Sequence, residues 1–247
     1  MLTSLSIVVP AYNEAPTIES VVLEALSVGP TVAREIEVLV CDDGSRDETH
    51  AVLRGVARRD ARVRVLHRAS NRGIEASLRA LYAAARCDYI FIISADRQWP
   101  MASMFPLAQA VEAGADLAVG TRPNKRAVYS IYRLIVSYFY TAAVRLLGSP
   151  VGDPGSIKLG RAECFRIPVV SKGVFSEAER LVRAARTLYR LAACDVEFHP
   201  RQSGKATGAR PALVAQAATD LLRTCSSAVL GRPRPVPTQP EADLVIG

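Results

Sequence analysis

Asp96 and Gln98 follow the apolar run Tyr89–Ser94 within the stretch FIISADRQWP. A short apolar run that is bounded by polar and turn-forming residues is typical of a buried β-strand. Carboxylate and amide oxygens are the ligands that hard cations such as Mg²⁺ prefer. Two residues at positions i and i+2 point to the same side if the backbone stays extended. This spacing therefore predicts a metal-binding pair just beyond a strand end.

Two further predicted strand ends carry polar clusters, Pro10–Glu14 and Cys41–Ser45. The second cluster, taken alone, is a common turn and helix cap. In an open parallel α/β sheet, however, ligands bind beyond the carboxyl ends of the strands. Three polar clusters at one edge of one sheet therefore favour a ligand site over three unrelated turns.

The chain has no G-x-G-x-x-G after the first strand and no G-x-x-x-x-G-K-[ST]. These are the glycine-rich loops that cradle phosphates in dinucleotide-binding and P-loop proteins. A divalent cation that bridges phosphate oxygens is the alternative. We therefore predict that Asp96 and Gln98 hold a cation on a nucleotide diphosphate.

Apolar runs that alternate with helical patterns must position these clusters. Strands are predicted at Leu5–Pro10, Ile36–Cys41, Val63–His67, Tyr89–Ser94 and Leu117–Gly120. A first helix carries apolar residues from Ile18 to Leu26 at helical spacing. A second is predicted to open with the capping box Ser45–Glu48. This alternation predicts an α/β fold with a mostly parallel central sheet flanked by helices.

The pattern changes in the second half of the chain. The apolar residues from Val128 to Leu146 form one helical stripe. Such a stripe is typical of a helix packed on the core, and the alternative is a helix at a membrane interface. Further helices are predicted at Ala178–Leu191 and Leu213–Leu230. The proline-rich tail 231–247 is predicted to be disordered.

Composition limits the class of protein. Of the 247 residues, 49% are hydrophobic and 22% are charged, with a net charge of +7. This balance predicts a folded core and an anionic partner. The arginines from Arg54 to Arg72 alternate with apolar residues and lack an aromatic stacking platform. They indicate solvated faces rather than a nucleic-acid site.

Cysteine usage and apolar segments indicate the compartment. The five cysteines contain no C-x-x-C pair, which argues against a disulfide scaffold or zinc site and for a reducing compartment. Leu5–Val9 is too short for the apolar part of a signal peptide, and no uncharged apolar segment of 18 residues occurs. We therefore expect a cytoplasmic protein without a membrane-spanning helix.

Several stretches, in this order, resemble the family-2 glycosyltransferases, which have the GT-A fold, a Rossmann-like nucleotide-diphospho-sugar transferase fold. They are SIVVPAYNEAPTIESVV, VLVCDDGSRDET and NRGIEASLRALYAAARCDYIFIISADRQWP. Later stretches, VGTRP, VGDPGSIKLGRAECF and FHPRQSGKATG, resemble the dolichol-phosphate mannose synthase branch, which acts on polyprenyl phosphates. The resemblance implies one domain over residues 1–230. Its nucleotide-sugar-binding half is 1–125, and its acceptor-side half, with amphipathic helices, is 126–230.

The resemblance also implies roles for individual residues. Asp96 and Gln98 match the family's metal ligands, with Mg²⁺ or Mn²⁺ expected. The cations Arg122, Arg201 and Lys205 are expected to hold the diphosphate or the acceptor phosphate, as arginine and lysine commonly do. Asp96 and Arg201 are the expected catalytic residues. The other residues expected at the donor site are Pro10, Tyr12, Glu14, Cys41, Asp43, Ser94 and Ala95, with Asp43 bonded to the base.

Two positions depart from the family pattern. Ser94 stands where the family usually has the first acid of Asp-x-Asp, so one negative charge near the cation is lost. A serine can still bind a ribose hydroxyl or a metal-bound water. Thr207 stands where the branch usually carries its late lysine, while Lys205 directly follows Gly204.

The resemblance implies inversion at the anomeric carbon by direct displacement. A hydroxyl acceptor needs a carboxylate base, whereas a lipid phosphate is already anionic and needs none. Asp153 and Glu179 are candidate bases, although each is also interpretable as structural, in a turn and on a helix surface. With a lipid phosphate, catalysis reduces to positioning and to neutralising the departing diphosphate.

Three functions are compatible with the sequence. The first is a metal-dependent inverting glycosyltransferase that moves a sugar from GDP-mannose or a UDP-sugar to a polyprenyl or dolichyl phosphate, with peripheral contact at the inner face of the membrane. The second is a soluble family-2 glycosyltransferase that acts on a hydroxyl or amine of a small molecule. The third is a non-catalytic sugar-nucleotide binder, which is favoured if Ser94 abolishes metal binding.

Overall fold

Strands and helices alternate through the first half of the chain, as the sequence predicts. A computed structural model describes residues 1–171, 173, 175–200, 219–221 and 244–246. The strands are β1 Leu2–Ala11, β2 Ala33–Asp42, β3 Val63–Arg68, β4 Tyr89–Ile92, β5 Leu117–Thr121, β6 Lys158–Arg161, β7 Leu191–Asp195 and β8 Leu244–Ile246. The helices are α1 Ile18–Val32, α2 Thr49–Arg59, α3 Ile74–Ala84, α4 Met104–Glu112, α5 Lys125–Val128, α6 Ile131–Leu146, α7 Ala162–Phe165 and α8 Ser176–Arg186.

In the described part of the chain, eight strands form one sheet in the order β7-β5-β6-β4-β1-β2-β3-β8. β1 pairs in parallel with β2 and with β4, β2 with β3, and β5 with β7. β6 is antiparallel to β4 and β5, and β8 is antiparallel to β3. The predicted mostly parallel sheet is confirmed. The sequence did not predict β6, β7 or β8.

Alternate side chains of β1 divide the core in two, because successive strand residues face opposite sides of a sheet. Ile7 packs with residues of α1, α2 and α4 on one face. Val8 packs with residues of α3, α7 and α8 on the other. Both side chains are fully buried. Helices therefore cover both faces and leave the carboxyl edge of the sheet for the loops.

The predicted capping box at the start of α2 is wrong. The helix begins at Thr49, whose amide donates to Oδ1 of Asp47 at 3.1 Å. Ser45 instead accepts a hydrogen bond on its Oγ from the amide of Asn13 at 2.9 Å. Ser45 therefore joins two loops rather than capping a helix.

The predicted helix Ala178–Leu191 is right at its start and wrong at its end. α8 ends at Arg186, and Leu188 adopts a positive φ of 68°. Leu191 begins β7, which pairs with β5. An amphipathic pattern of alternating charges and apolar residues does not show where a helix gives way to an edge strand.

The predicted stripe lies mainly on α6, and its interpretation as core is wrong. Val144 is the only α6 residue that is buried in this structure. Six large apolar side chains of the helix are exposed: Ile131 78%, Tyr132 49%, Ile135 51%, Tyr138 71%, Phe139 67% and Leu146 89%. Among the described helices, none combines the length and apolar character needed to cross a membrane.

Two C-terminal predictions lie mostly outside the described residues. Of the predicted helix Leu213–Leu230, residues 219–221 are described, and they are helical. Of the tail 231–247, Leu244–Ile246 are described, and they form β8 at the sheet edge beside β3. The expectation of disorder does not hold for these three residues.

Gly160 on β6 lies where a side chain has no space. A Cβ atom there would lie 2.5 Å from the backbone oxygen of Asp116 and 2.8 Å from the Cα of Leu117. We expect Gly160→Ala to lower the free energy of unfolding by about 1–3 kcal/mol, because the added methyl forces packed strands apart. Urea denaturation monitored by circular dichroism measures this loss.

Gly55→Ala is the matched control. No atom lies within 4 Å of a Cβ at Gly55 in α2, and alanine favours a helix over glycine. This variant should be as stable as the wild type or more stable. Equal destabilisation by the two substitutions would contradict the close approach at β6.

Candidate active site

Hydrogen bonds join the end of β1 and its loop to the end of β2 and the start of α2. The amide of Asp43 donates to the carbonyl of Ala11 at 2.9 Å. The amide of Glu14 donates to Oγ1 of Thr49 at 2.9 Å. The first two predicted polar clusters therefore form one continuous surface at the carboxyl edge of the sheet.

The three donor-site residues predicted after β1 lie on this surface. Pro10 and Glu14 are half-buried, and Tyr12 is exposed. Such an arrangement leaves an aromatic side chain on an open face, where it is able to stack on a planar base. Stacking surfaces of this kind are common in nucleotide recognition.

Asp43 is buried, and its carboxylate is engaged by protein donors. It accepts hydrogen bonds from the amides of Arg72 and Gly73, the latter at 2.7 Å, and from Nη1 of Arg68 at 3.2 Å. A carboxylate held in this way fastens the loop 69–73 to the end of β2. The predicted hydrogen bond from Asp43 to a nucleotide base remains a prediction. In this structure Asp43 holds the loop 69–73.

Cys41 lies beneath this surface rather than on it. Its side chain is fully buried, and Nη1 of Arg68 contacts its Sγ at 3.4 Å. Burial raises the pKa of the thiol to about 11. Cys41 therefore offers no open surface to a ligand, contrary to its predicted place beside the donor.

Asp96, the predicted metal ligand, is buried at the third polar cluster together with Ala95. Oγ of Ser94 donates to Oδ1 of Asp96, and the amide of Gln98 donates to the same oxygen at 3.2 Å. These bonds fix the orientation of the carboxylate. Ser94, which replaces the family's usual acid, therefore acts on Asp96 directly.

The backbone between the two predicted metal ligands is not extended. Arg97 has a φ of 55°, and the chain turns at this point. The premise that Asp96 and Gln98 share a side through an extended strand is therefore wrong. Nε2 of Gln98 donates to the carbonyl of His199 at 3.2 Å, and the amide of His199 donates to the carbonyl of Gln98 at 2.8 Å.

The donor atoms around Asp96 suit a hard cation. A buried carboxylate, a hydroxyl and a primary amide supply oxygen ligands, and Mg²⁺ usually takes one or two carboxylates and completes its shell with water and substrate phosphates. The set contains no sulfur or imidazole nitrogen, which softer metals prefer. These residues therefore fit the metal that the family resemblance implies.

A small cavity, here called the α1 cavity, lies beside this turn. Its volume is about 210 Å³. Nε1 of Trp99, which lines it, is buried without a hydrogen-bond partner in this structure. The residues around the cavity are Val21, Glu24, Ile93, Ser94, Arg97, Trp99, Pro100, Met101 and His199.

Arg122, a predicted phosphate ligand, is paired with a carboxylate of its own chain. Its Nε donates to Oδ2 of Asp153 at 2.9 Å, and its Nη2 donates to Oδ1. Nζ of Lys125 lies 2.8 Å from the same carboxylate. The guanidinium also packs against the rings of Phe198, at 5.0 Å from the centroid, and Tyr129, at 5.5 Å.

This ion pair sets the charge state of Asp153. Burial alone raises the pKa of a carboxylic acid, but hydrogen bonds and charge from Arg122 and Lys125 outweigh burial and hold the pKa of Asp153 below its usual value. A carboxylate with a lowered pKa is a weak base. The sequence did not single out Lys125 or Tyr129, although KRAVY follows VGTRP after a single residue, Asn124.

A second cavity, here called the α6 cavity, lies beside this ion pair. It has a volume of about 330 Å³ and faces α6. The residues that line it are Thr121, Arg122, Pro123, Lys125, Thr141, Arg145, Gly152, Asp153 and Asp195. The α6 cavity thus combines three cations with two carboxylates next to the exposed apolar helix.

Glu179, the other candidate base, is structural. Its carboxylate is fully buried and accepts hydrogen bonds from the amides of Val170 and Ser171 and from Nε of Arg183. Arg201, Lys205 and Thr207 lie outside the described residues, so their predicted roles remain predictions.

Comparison with known proteins identifies the family of this chain and agrees with its fold. The model of the family "Glycosyl transferase family 2" matches residues 6–166. That range contains the β1, β2 and β4 loops, Asp96 and the Arg122–Asp153 ion pair. The chain belongs to this family.

Curated relatives include enzymes named for polyprenyl-phosphate substrates. The chain is 33% identical to glycosyltransferase AglD of Haloferax volcanii over 211 residues, which cover 81% of this chain and 34% of that protein. It is 34% identical to the polyprenol monophosphomannose synthase of Mycolicibacterium smegmatis over 120 residues, or 47% of this chain and 44% of that protein. It is 30% identical to an undecaprenyl-phosphate 4-deoxy-4-formamido-L-arabinose transferase of Pseudomonas fluorescens over 152 residues, or 61% and 44%. The chain therefore spans between a third and a half of each relative.

Solved structures share the fold. Glucosyl-3-phosphoglycerate synthase from Mycobacterium tuberculosis, crystallised with Mn²⁺, uridine diphosphate and glucosyl-3-phosphoglycerate, matches with a TM-score of 0.72. The identity is 20%, and the match covers 91% of this chain and 80% of that chain. The same enzyme was also crystallised with Mg²⁺ and uridine diphosphate. At this identity the likeness shows a common GT-A fold.

We expect Asp153→Asn to destabilise the protein in a pH-dependent manner. Removing one partner of a buried ion pair leaves the other charge uncompensated and costs about 3 kcal/mol. Because the folded-state pKa of Asp153 is lowered, its contribution is fully present above the ordinary value of about 3.9. It is lost as the pH falls below that value.

Urea denaturation of the wild type and Asp153→Asn at several pH values tests this expectation. The difference in the free energy of unfolding should be largest near neutral pH and should shrink below about pH 4. Asp60→Asn is the control, because Asp60 pairs with Arg62 near the surface at 2.6 Å and exposed pairs contribute only about 0–1 kcal/mol. A difference that does not change with pH would contradict the ionised state of Asp153.

Proposed function

We propose that this glycosyltransferase moves a sugar from a nucleotide-diphosphate donor, GDP-mannose or a UDP-sugar, to a polyprenyl phosphate. The observation that carries the proposal is that three polar loops follow adjacent parallel strands at one sheet edge, and that the third loop contains the buried carboxylate of Asp96. The names of the polyprenyl-phosphate relatives support the acceptor class. The donor-bound GT-A structures support a nucleotide sugar.

The nucleoside of the donor would lie against the β1 and β2 loops. Tyr12 would stack on the base. Pro10 and Glu14, two residues before and after Tyr12, would line the same pocket. Asp43 would hold the loop 69–73 as one wall of this pocket through its bonds to the amides of Arg72 and Gly73. In this arrangement Asp43 shapes the base pocket even without touching the base.

Asp96 and Gln98 would hold Mg²⁺ or Mn²⁺ on the diphosphate. When bound, the cation neutralises charge that develops on the leaving diphosphate. Ser94 orients Asp96 through its Oγ and would also be available to a ribose hydroxyl. Arg201 and Lys205 are proposed to add positive charge from the late RQSGK segment.

The state of Asp153 favours a phosphate acceptor over a hydroxyl acceptor. A hydroxyl must lose a proton to a base as it attacks, and an efficient base has a pKa near the working pH. Asp153 has a lowered pKa and is bound by Arg122 and Lys125. An anionic phosphate oxygen attacks without a base, so the chain's role reduces to positioning.

The α6 cavity is a fitting place for the acceptor phosphate. Lys125 and Arg145 line it, and cations of this kind bind phosphate oxygens. The exposed aromatic side chains of α6 begin next to the cavity, so a lipid chain could continue along that helix. A helix with an apolar face and flanking arginines lies readily at a membrane interface.

We expect Asp96→Ala to abolish transfer, because the cation loses its carboxylate anchor. The same variant should lose Mn²⁺-dependent binding of the nucleotide diphosphate in isothermal titration calorimetry. Transfer is measured by release of UDP or GDP in the presence of Mn²⁺ and a polyprenyl phosphate. Asp60→Ala is the control, since its carboxylate lies just before the amino end of β3.

The acceptor in this assay separates the remaining functions. Near-normal turnover of Asp96→Ala, or turnover unaffected by EDTA, would refute the metal assignment. Transfer only to water-soluble hydroxyl or amine acceptors would replace the lipid proposal with the soluble glycosyltransferase. Donor binding without transfer to any acceptor would leave the non-catalytic binder.

We expect the protein to bind anionic liposomes through α6. Tyr138 and Phe139 are 71% and 67% exposed, and replacing both with serine should weaken binding at least about tenfold, because each buried aromatic side chain contributes about 1.5–3 kcal/mol. Binding should also weaken with salt, since surface attraction decays within about 8–10 Å at physiological ionic strength.

Phe105→Ser is the matched control for this prediction. Phe105 is 46% exposed on α4 and does not line the α6 cavity. Sedimentation with liposomes of mixed neutral and anionic lipids measures all three proteins. If Phe105→Ser weakens binding as much as the α6 variant, or if the wild type does not sediment, α6 is not a membrane contact.

A further inference from the structure

Asp42, His50 and His67 form a compact cluster beside the β2 loop. One ligand atom from each of the three side chains lies within 4.8 Å of the other two. Oδ2 of Asp42 is 2.9 Å from Nδ1 of His67 and 3.3 Å from Nδ1 of His50. The two imidazole rings lie side by side, with centroids 3.9 Å apart. Among the described residues, no other group of metal-binding side chains comes as close together.

Three separate elements build this cluster. Asp42 is the last residue of β2, and His67 is its direct partner on the neighbouring parallel strand β3. Residues opposite each other on adjacent strands point to the same face of a sheet. His50 is the second residue of α2, which packs beside β3. The sheet register and the start of α2 therefore bring the three side chains together.

We propose that Asp42, His50 and His67 bind a zinc-class divalent cation, at a site separate from the donor cation at Asp96. Zinc takes imidazole nitrogen and carboxylate oxygen at bond lengths of about 2.0–2.2 Å in tetrahedral geometry. Ligand atoms in such a site are about 3.3 Å apart, as tetrahedral geometry at these lengths requires. The distances of 2.9 Å and 3.3 Å from Oδ2 of Asp42 are close to that spacing, and all three ligand atoms lie within 4.8 Å of one another.

The environment of the cluster supports a site rather than a chance contact. Nδ1 of His50 is buried, and it lies 3.3 Å from Oδ2 of Asp42 without a hydrogen bond of good geometry. Asp42 is fully buried, and its second oxygen, Oδ1, accepts a hydrogen bond from the amide of Ser45 at 3.0 Å. Such a bond fixes a ligand carboxylate, as outer partners do in metal sites. Both imidazoles are about a third exposed, which gives a cation a path to the site.

The charges around the cluster predict moderate affinity. Asp42 contributes one negative charge, and Arg54, one turn further along α2, adds a positive charge that His50 experiences. Three protein ligands leave the remaining coordination position to water or an external ligand. A mixed nitrogen and oxygen set selects zinc, cobalt or nickel over Mg²⁺, which prefers oxygen ligands alone.

Binding at this place would fasten α2 to the sheet next to the donor pocket. Asp42 precedes Asp43, whose carboxylate holds the loop 69–73. The Asp42 carboxylate also accepts a hydrogen bond from Ser45 in the loop after β2. A bound cation would thus tie together β2, β3 and α2. Its expected effect is thermal stabilisation of the whole domain, by mass action on the folded state.

Isothermal titration of the purified protein with Zn²⁺ in excess Mg²⁺ tests the proposal. We expect one zinc equivalent and a zinc-dependent rise in Tm. His50→Gln and His67→Gln should each weaken zinc binding at least about tenfold, since even outer partners of metal ligands contribute that much. His199→Gln is the matched control, because His199 is the third histidine of the chain and lies outside the cluster. Asp96→Ala should bind zinc as the wild type does.

A measurement on the wild type alone keeps the test independent of variant folding. A Zn²⁺-bound imidazole has no free lone pair, so zinc should suppress diethyl pyrocarbonate modification of His50 and His67 but not of His199, as read by mass spectrometry. The absence of zinc binding in the wild type would overturn the proposal. Equal weakening by His199→Gln, or loss of zinc binding in Asp96→Ala, would also overturn it.

Discussion

The parallel pairing of β1 with β2 on one side and with β4 on the other is the constraint on which the candidate active site depends. The register continues through Ala11 and Asp42 at the end of β2. On the other side the amide of Ile93 donates to the carbonyl of Val8. Three strands that run in the same direction necessarily end at the same edge. Loops far apart in sequence therefore meet there. A small shift in strand register would move Asp96 away from the loops after β1 and β2.

Most charged groups at this edge are already engaged within the protein. Asp43 is bound by backbone amides, and Arg122 is bound by Asp153. Removing these charged groups from water has a desolvation cost, and their hydrogen bonds within the protein offset it. A ligand must therefore either fit around these pairs or exchange partners with them. A phosphate at the α6 cavity could draw Lys125 or Arg122 from Asp153, which would couple acceptor binding to the ion pair.

The two faces of α6 differ in their surroundings. Val144 packs against Phe175, Ala178 and Val182 in a small core of its own. The aromatic residues on the rest of the helix are exposed. An apolar patch of this kind on a protein surface usually marks a contact with a partner or a membrane. In the proposed function the acceptor phosphate binds in the α6 cavity, and the lipid chain contacts this apolar patch.

The sequence by itself determined the fold class and the five strands of the first half, because hydrophobic periods of 2 and 3.6 residues are local properties of the chain. For the same reason it placed three polar clusters at the ends of strands. It also placed Ser94 and Asp96 just beyond a strand end, because an apolar run precedes them. It failed where neighbours in space decide the outcome. The antiparallel strand β6, the end of α8 and the exposure of α6 depend on what each segment packs against, and the turn at Arg97 overrode the expected extended geometry. Only the tertiary structure paired Arg122 with Asp153 and brought Asp42, His50 and His67 together, because such contacts arise from strand register and helix docking rather than from spacing along the chain.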